Sequence, residues 1–268
     1  MAVLVFSGKG GTGKTTLAAL TVRYFYEKGK VSLTLDMDPD AHLFKLLEVP
    51  LEQTVGNIVD RVHKEKNFEL EPRKPVDVSD AEYFYSLVMR DVLIESEGFD
   101  LITLGKPSSE IDCYCPVFYW ADLAISKILR SYKMPYDHIV VDCDPGTEIF
   151  PRRILDTIAE KVGIDYVFII IDGSRMSLDT AIEIRKEIKK KEGLRFGEVL
   201  GLCNRIDDPK MQAIIKEFAA SEYGINIAGF VRSDIGIIEG ALKGEGILKK
   251  TGLRAFEDLK KILQSLGL

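Results

Sequence analysis

Close to the start of the chain the apolar run VLVFS is followed at once by GKGGTGKTT and then by the helical pattern TTLAALTVRYFYEKG. No other stretch constrains the fold so tightly. It satisfies G-x-x-x-x-G-K-[ST], a pattern that carries meaning where a strand enters it and a helix leaves it, as here. Gly8, Gly10, Gly11 and Gly13 let backbone N–H groups close on phosphate oxygens, with Thr12 and Thr16 completing the loop. Lys14 is expected to reach the β and γ phosphates, and Thr15 to offer its hydroxyl to Mg²⁺, while the following helix N-terminus adds its dipole. The ligands implied are ATP or ADP with Mg²⁺.

The strand-then-helix rhythm continues. VSLTLD, DLITL, HIVVD, YVFIIID, EVLGLC and INIAGF are short β-branched runs, several of them apolar almost throughout. Continuous apolarity marks parallel strands buried on both faces, and the alternation predicts an α/β fold with a doubly wound, mostly parallel sheet and right-handed crossovers. DTAIEIRKEIKKKEG and MQAIIKEFAASEYG carry helical spacing and end in glycine, as TTLAALTVRYFYEKG does. TGLRAFEDLKKILQSLGL reads as an amphipathic closing helix packed on the sheet. DAEYFYSLVMRDVLIES reads as a helix leading into DLITL, and residues 52–79 as an irregular excursion outside the sheet. Residues 1–268 are expected to form a single domain.

A formal charge of -6, from 36 basic and 42 acidic residues, argues against a general nucleic-acid partner. No leader-like segment and no bilayer-length apolar run is evident, so a cytoplasmic protein without stable membrane association is expected. In that compartment cysteines are thiols, ligands or small core residues. Cys143 and Cys203 end apolar runs and read as core. IDCYCP is different, because it sets Cys113 and Cys115 one residue apart. A soft cation such as Zn²⁺ or Ni²⁺ favours thiolates, and a closed four-coordinate site needs four ligands. A twofold axis beside this loop would supply the second pair. The run Val117-Phe118-Tyr119-Trp120 would then form an apolar rim to that interface. Two reduced cysteines without metal, or a redox dithiol, are the alternative readings.

Two further motifs place carboxylates at strand ends, where open α/β sheets bind ligands. These are Asp36-Met37-Asp38-Pro39-Asp40 and Val140-Val141-Asp142-Cys143-Asp144-Pro145-Gly146. Asp142, after the apolar HIVV, suits a Walker B role that holds Mg²⁺ through its water shell.

Lys9, directly after the first glycine, has no duty in an ordinary phosphate loop, and a second cation there suits a nucleotide bound by a facing subunit. With it the motif resembles the deviant Walker A ATPases. This group includes septum-site and plasmid-partitioning ATPases, the nitrogenase iron protein, arsenite-pump ATPases and metallochaperones. The resemblance implies a P-loop NTPase of the MinD-like class that hydrolyses ATP as a homodimer, with Lys9 reaching across the sandwiched nucleotide and Lys14 acting in its own site. It also implies Asp38 as the switch I aspartate that orients or deprotonates water, with Asp36 and Asp40 in support, and Asp144, Gly146 and Glu148 as switch II. Asn204 stands where that group presents an asparagine to adenine, with Arg205 flanking the base. GFVRSD lacks the proline usual in the next strand-end loop, which bears on Arg232 and Asp234 as base-edge contacts.

The segment from DAEYFYSLVMRDVLIES through EGFDLITLGKP to CYCP narrows the resemblance to the nickel-insertion ATPases that mature carbon monoxide dehydrogenase. It departs from them where SSEID replaces a glycine-proline-glycine just before the cysteines. The resemblance implies a Ni²⁺ or Zn²⁺ ion bridging a dimer through Cys113 and Cys115, and apo carbon monoxide dehydrogenase or another nickel enzyme as the partner. An iron–sulfur reductase component is one rival, but such proteins place their two cysteines far apart, one beyond switch II, and no cysteine lies between Cys143 and Cys203. A positioning or partitioning ATPase is the other. The acidic balance and the cysteine pair both speak against it.

Overall fold

The computed structural model describes residues 1–66, 77–107, 114–130 and 134–268. Its strands are β1 (Ala2–Gly8), β2 (Ser32–Met37), β3 (Ile94–Ser96), β4 (Phe99–Thr103), β5 (His138–Cys143), β6 (Ile164–Ile171), β7 (Phe196–Asn204) and β8 (Ile227–Val231). They form one eight-stranded sheet in the order β3-β4-β2-β5-β1-β6-β7-β8. Every described pairing is parallel except β3 with β4. All seven runs read as strands in the sequence are strands here.

Their apolarity follows from burial on both faces. Val3 and Val5 of β1 point into one core, while Leu4 and Phe6 point into another. The second core is closed by α1 (Lys14–Glu27) and α10 (Arg254–Ser265), through Leu17, Leu20 and Phe25 on one and Phe256 and Leu259 on the other. The first is closed by α3 (Val55–Lys66), α5 (Cys115–Leu129), α6 (Ile154–Lys161) and α7 (Arg175–Lys189). The short α2 (Leu43–Leu46), α4 (Val78–Leu87), α8 (Pro209–Tyr223) and α9 (Ile235–Lys243) complete the layers. Helices on both faces of a mostly parallel sheet make this an α/β fold. Among the described residues no helix is long and apolar enough to cross a membrane.

Two expectations change. The helix read over DAEYFYSLVMRDVLIES stops as α4 at Leu87, passes through a π turn at Val88–Val92, and gives way to β3. Gly98, at φ 80°, turns the chain so that Ile94 pairs with Leu101 and covers the open edge of β4. Unpaired N–H and C=O groups on that edge outweigh a local helical preference. The excursion at 52–79 does lie off the sheet, but its first part is the regular helix α3. Thr54 and Asn57 cap it reciprocally: the Thr54 N–H donates to Asn57 Oδ1 at 2.9 Å and the Asn57 N–H to Thr54 Oγ1 at 3.2 Å. Val55, Ile58, Val59 and Val62 then fall on one buried stripe. Residues 67–76 of that excursion lie outside the described residues.

Because β1 sits centrally, the C-terminal ends of β1, β2, β4 and β5 open on one edge of the sheet. The site is built there.

Candidate active site

The loop between β1 and α1 is held open by its own backbone. Gly8 has φ 138°, and a Cβ there would stand 2.8 Å from the Ile170 carbonyl oxygen in the neighbouring β6. The buried Thr12 hydroxyl donates to the Lys9 carbonyl at 2.8 Å, and the buried Lys14 ammonium reaches the same oxygen at 3.4 Å. Lys14 therefore folds back over the loop, without an ion pair among the described residues. α1 begins with neither a capping side chain nor an acidic residue in its first turn. Its orphan N–H groups and the lysine together form an anion cradle. Gly10, Gly11, Gly13, Thr15 and Thr16 line or border the same loop, and Gly11, Gly13, Thr15 and Thr16 face an open pocket of about 460 Å³. Lys9 is half-buried and makes no ion pair among the described residues.

Asp36 and Asp142 are register partners across β2 and β5, and both are fully buried. Burial, with repulsion from nearby carboxylates added, pushes Asp36 up to about 7 and Asp142 well above the usual carboxylate range. The two differ in what they do. Asp36 accepts from the N–H groups of Asp38 at 3.3 Å and Leu43 at 3.1 Å, and so shapes the loop after β2. Neither oxygen of Asp142 has a hydrogen-bond partner among the described residues. Thr15 and Lys14 pull its pKa the other way without closing a bond on it. A buried anion left so is costly unless something cationic meets it. Asp142 with Thr15 thus fits Mg²⁺, whose role would be to neutralise phosphate charge.

Asp38 is half-buried and lines the same pocket; its Oδ1 accepts from the Asp40 N–H at 2.9 Å. Asp40 points outward and pairs with Lys106, whose hydrogen bond holds the carboxyl below its ordinary range. Asp144 is mostly buried. Burial raises it to about 7, against the pull of Arg152, whose Nη1 donates to Oδ2 at 2.7 Å. The Gly146 N–H donates to the Gly8 carbonyl at 2.9 Å, so the loop after β5 is tied to the start of the phosphate loop. Glu148 is exposed and accepts from Arg152 at 3.1 Å.

Beside α1 a smaller pocket is lined by Thr16, Leu17, Asn204, Arg205, Arg232, Asp234 and Ile238. Asn204 Nδ2 donates to the Thr12 carbonyl at 2.8 Å, which braces the phosphate loop from below. Arg205, in the left-handed region at φ 62°, donates to the Gly11 carbonyl at 3.3 Å. Arg232 is fixed by both oxygens of Asp258 at 2.8 Å, and Asp234 caps α9 by accepting from Gly236 at 2.9 Å. Asn204 and Arg205, the two residues expected near a base, thus share one pocket with Arg232 and Asp234.

Cys115 is the first residue of α5, followed by Pro116, and takes part in a disulfide. Cys113 and the SSEID segment lie outside the described residues. Cys143 and Cys203 are free and buried, and burial pushes both thiols up, Cys203 to about 12. Among the described residues no group of three or more His, Cys, Asp or Glu is placed to hold a metal ion. The aromatic run expected at an interface rim is core instead. Val117, Phe118 and Trp120 are buried, with Trp120 packed 4.5 Å from Phe84. Helical geometry turns these positions inward, toward α3 and α4.

The sequence reading missed His42 and Lys45, which line the pocket opposite the phosphate loop, and Arg152. No local pattern marks them.

Residues 3–247 match the CobQ/CobB/MinD/ParA nucleotide binding domain. An ATP-binding protein of Methanocaldococcus jannaschii is 29% identical over 242 residues, covering 90% of this chain and 88% of that protein. The carbon monoxide dehydrogenase accessory protein CooC of Rhodospirillum rubrum is 23% identical over 186 residues, covering 68% of this chain and 66% of its own. Among solved structures, the septum site-determining protein MinD of Pyrococcus horikoshii, complexed with Mg-ADP, superposes with a TM-score of 0.63 at 19% identity, covering 99% of this chain and 95% of that one.

Proposed function

We propose that this chain, which belongs to the CobQ/CobB/MinD/ParA nucleotide-binding family, couples ATP hydrolysis to the insertion of nickel into carbon monoxide dehydrogenase or a related nickel enzyme. The chain is a P-loop ATPase. One observation supports the work proposed for its ATP: the chain leading toward Cys113 leaves from the nucleotide edge of the sheet. β4 ends at Thr103 beside β2, and the Gly105-Lys106-Pro107 turn that leads toward the cysteines is pinned to the loop after β2 by the Lys106–Asp40 pair. Cys115 in turn opens α5.

In this reading the 268 residues act as one domain, and two copies close face to face around ATP. Lys14 and Thr15 hold the phosphates and Mg²⁺ in their own subunit with Asp142. Lys9 reaches the partner subunit's nucleotide, and Asp38 orients the attacking water. Closure brings together Cys113 and Cys115 of both subunits, and four thiolates suit Ni²⁺ or Zn²⁺ as cargo. Hydrolysis, sensed through Asp144 and Gly146, loosens the pair and releases the ion to the client enzyme. The similarity to CooC supports this choice of client. The thiolates must be reduced to bind, so loading requires opening the disulfide at Cys115.

The test is metal content per protomer under reducing conditions, with and without ATP, for wild type and for the Cys113→Ser/Cys115→Ser protein. The reading expects bound metal in the wild type, more of it with ATP, and its loss in the variant. Equal metal in both proteins refutes it.

A further inference from the structure

Arg152 has no part in the reading above, yet it is held by three groups beside the site. It closes the short turn Phe150–Arg152 just after the Asp144 loop. Nη1 donates to Asp144 Oδ2 at 2.7 Å and Nη2 to Glu148 Oε2 at 3.1 Å, while the guanidinium carbon stands 4.2 Å over the ring centroid of Phe118. Phe118 belongs to α5, one turn after Cys115, and is buried. We propose that Arg152 is a positioning residue that transmits a movement of the Asp144 loop to the first turns of α5, by holding the Asp144 carboxylate with its edge and the Phe118 ring with its face.

The geometry explains why arginine is needed. A guanidinium is planar and rigid, so its donors and its stacking face are set in one relation. If Asp144 shifts, Arg152 follows it off the Phe118 ring, carries the ring along, or lets go of the carboxylate. Asp144 has little else to hold it: its second oxygen is buried and without a hydrogen-bond partner among the described residues. It also lies within the electrostatic reach of Lys14 and Asp38, the groups a triphosphate and its dication would most disturb. A ligand shifts such an equilibrium only by its differential affinity for the two arrangements, and here the difference is concentrated on one carboxylate.

The chain carries its own reporter. Its single tryptophan, Trp120, lies two residues past Phe118 and packs on Phe84 at 4.5 Å. Movement of α5 changes that environment and so the emission. The inference rests on Asp144 sensing nucleotide and is independent of metal at the cysteines.

The experiment titrates Mg²⁺ with ATP, and separately with ADP, into wild type, Arg152→Gln and Arg152→Lys. Trp120 emission is followed while affinity is measured by calorimetry. Wild type is expected to change emission on binding ATP. Arg152→Gln is expected to bind ATP with similar affinity but to lose most of the emission change. Arg152→Lys keeps the charge beside Asp144 without a planar face for Phe118. It is expected to respond as weakly as the glutamine variant, and it serves as the test should the glutamine variant not fold. Four outcomes overturn the proposal: no emission change in wild type, a full response in Arg152→Gln, full rescue by lysine, or loss of ATP binding in step with the signal. Metal content is a separate observable, so failure of the nickel reading and failure of this one are told apart.

Discussion

Replacing Asp142 by asparagine is expected to leave a protein that is more stable and less able. This carboxylate is fully buried, lacks a hydrogen-bond partner among the described residues, and lies in register with Asp36. Burial first, and then the Asp36 charge, hold its pKa well above the ordinary value. Below the unfolded value of 3.8 the carboxyl is protonated in both states and contributes nothing. Above it, folding must take up a proton or bury a charge, so native stability falls as pH rises until the folded group has ionised too. A buried polar group without a partner costs about 1–3 kcal/mol, and a charged one more. The neutral carboxyl and the amide share the first cost, so the gain from Asp142→Asn is the extra cost of the charge, on the order of 1–3 kcal/mol at alkaline pH and shrinking toward nothing as pH falls to the unfolded value of 3.8. Thermal unfolding of the nucleotide-free proteins across that range reads it directly, at roughly 2–4 °C per kcal/mol for a chain of this size. The same variant is expected to lose the Mg²⁺-dependent part of its stabilisation by nucleotide. A variant less stable than wild type at the alkaline end, or a stability difference that does not vary with pH, refutes the reasoning.

Two further predictions concern the phosphate loop. Lys9→Ala is expected to spare most nucleotide binding while losing ATP-driven dimerisation and hydrolysis; normal turnover by this variant, or unchanged dimerisation by sedimentation, removes the cross-subunit role. Gly13→Ala sets a Cβ 2.3 Å from Asn204 Nδ2 at φ 97°. That costs about 1–2 kcal/mol for the left-handed backbone and about 1 kcal/mol for the displaced Asn204–Thr12 bond. Adding Asn204→Ala removes the clash, so the double variant should cost less than the two single costs together; strict additivity in urea unfolding would show that Asn204 does not brace Gly13.

What could be read from the sequence, and what could not, divides on whether a feature is made by neighbours in the chain. The phosphate loop is contiguous, and its strand and helix are dictated by the residues on either side, so Lys14, Thr15 and the glycines were legible together. Asp38, Asp142 and Asp144 were legible because parallel strands end where their apolar runs end. That Asp142 would lie beside Asp36 was not, since register between strands distant in sequence is set by the whole sheet. β3 failed for a related reason: its residues favour helix locally, and only the exposed edge of β4 makes them a strand. The cap of α3 is local, carried by Thr54-x-x-Asn57 with asparagine where glutamate or glutamine is usual. The run Val117–Trp120 does not share one outward surface, because a helix spreads four consecutive residues around its axis and buries three of these. The same division bears on function. The phosphate loop and C-x-C are each local, so two chains can share both and still differ in whether one answers to the other. The connections that would make it answer, Asp40 to Lys106 and Asp144 through Arg152 to Phe118, join segments separated by tens of residues or by a helix's depth of packing. They leave no local pattern, and it is in them, more than in the cysteine spacing, that a relative with the same motifs and a different task should differ.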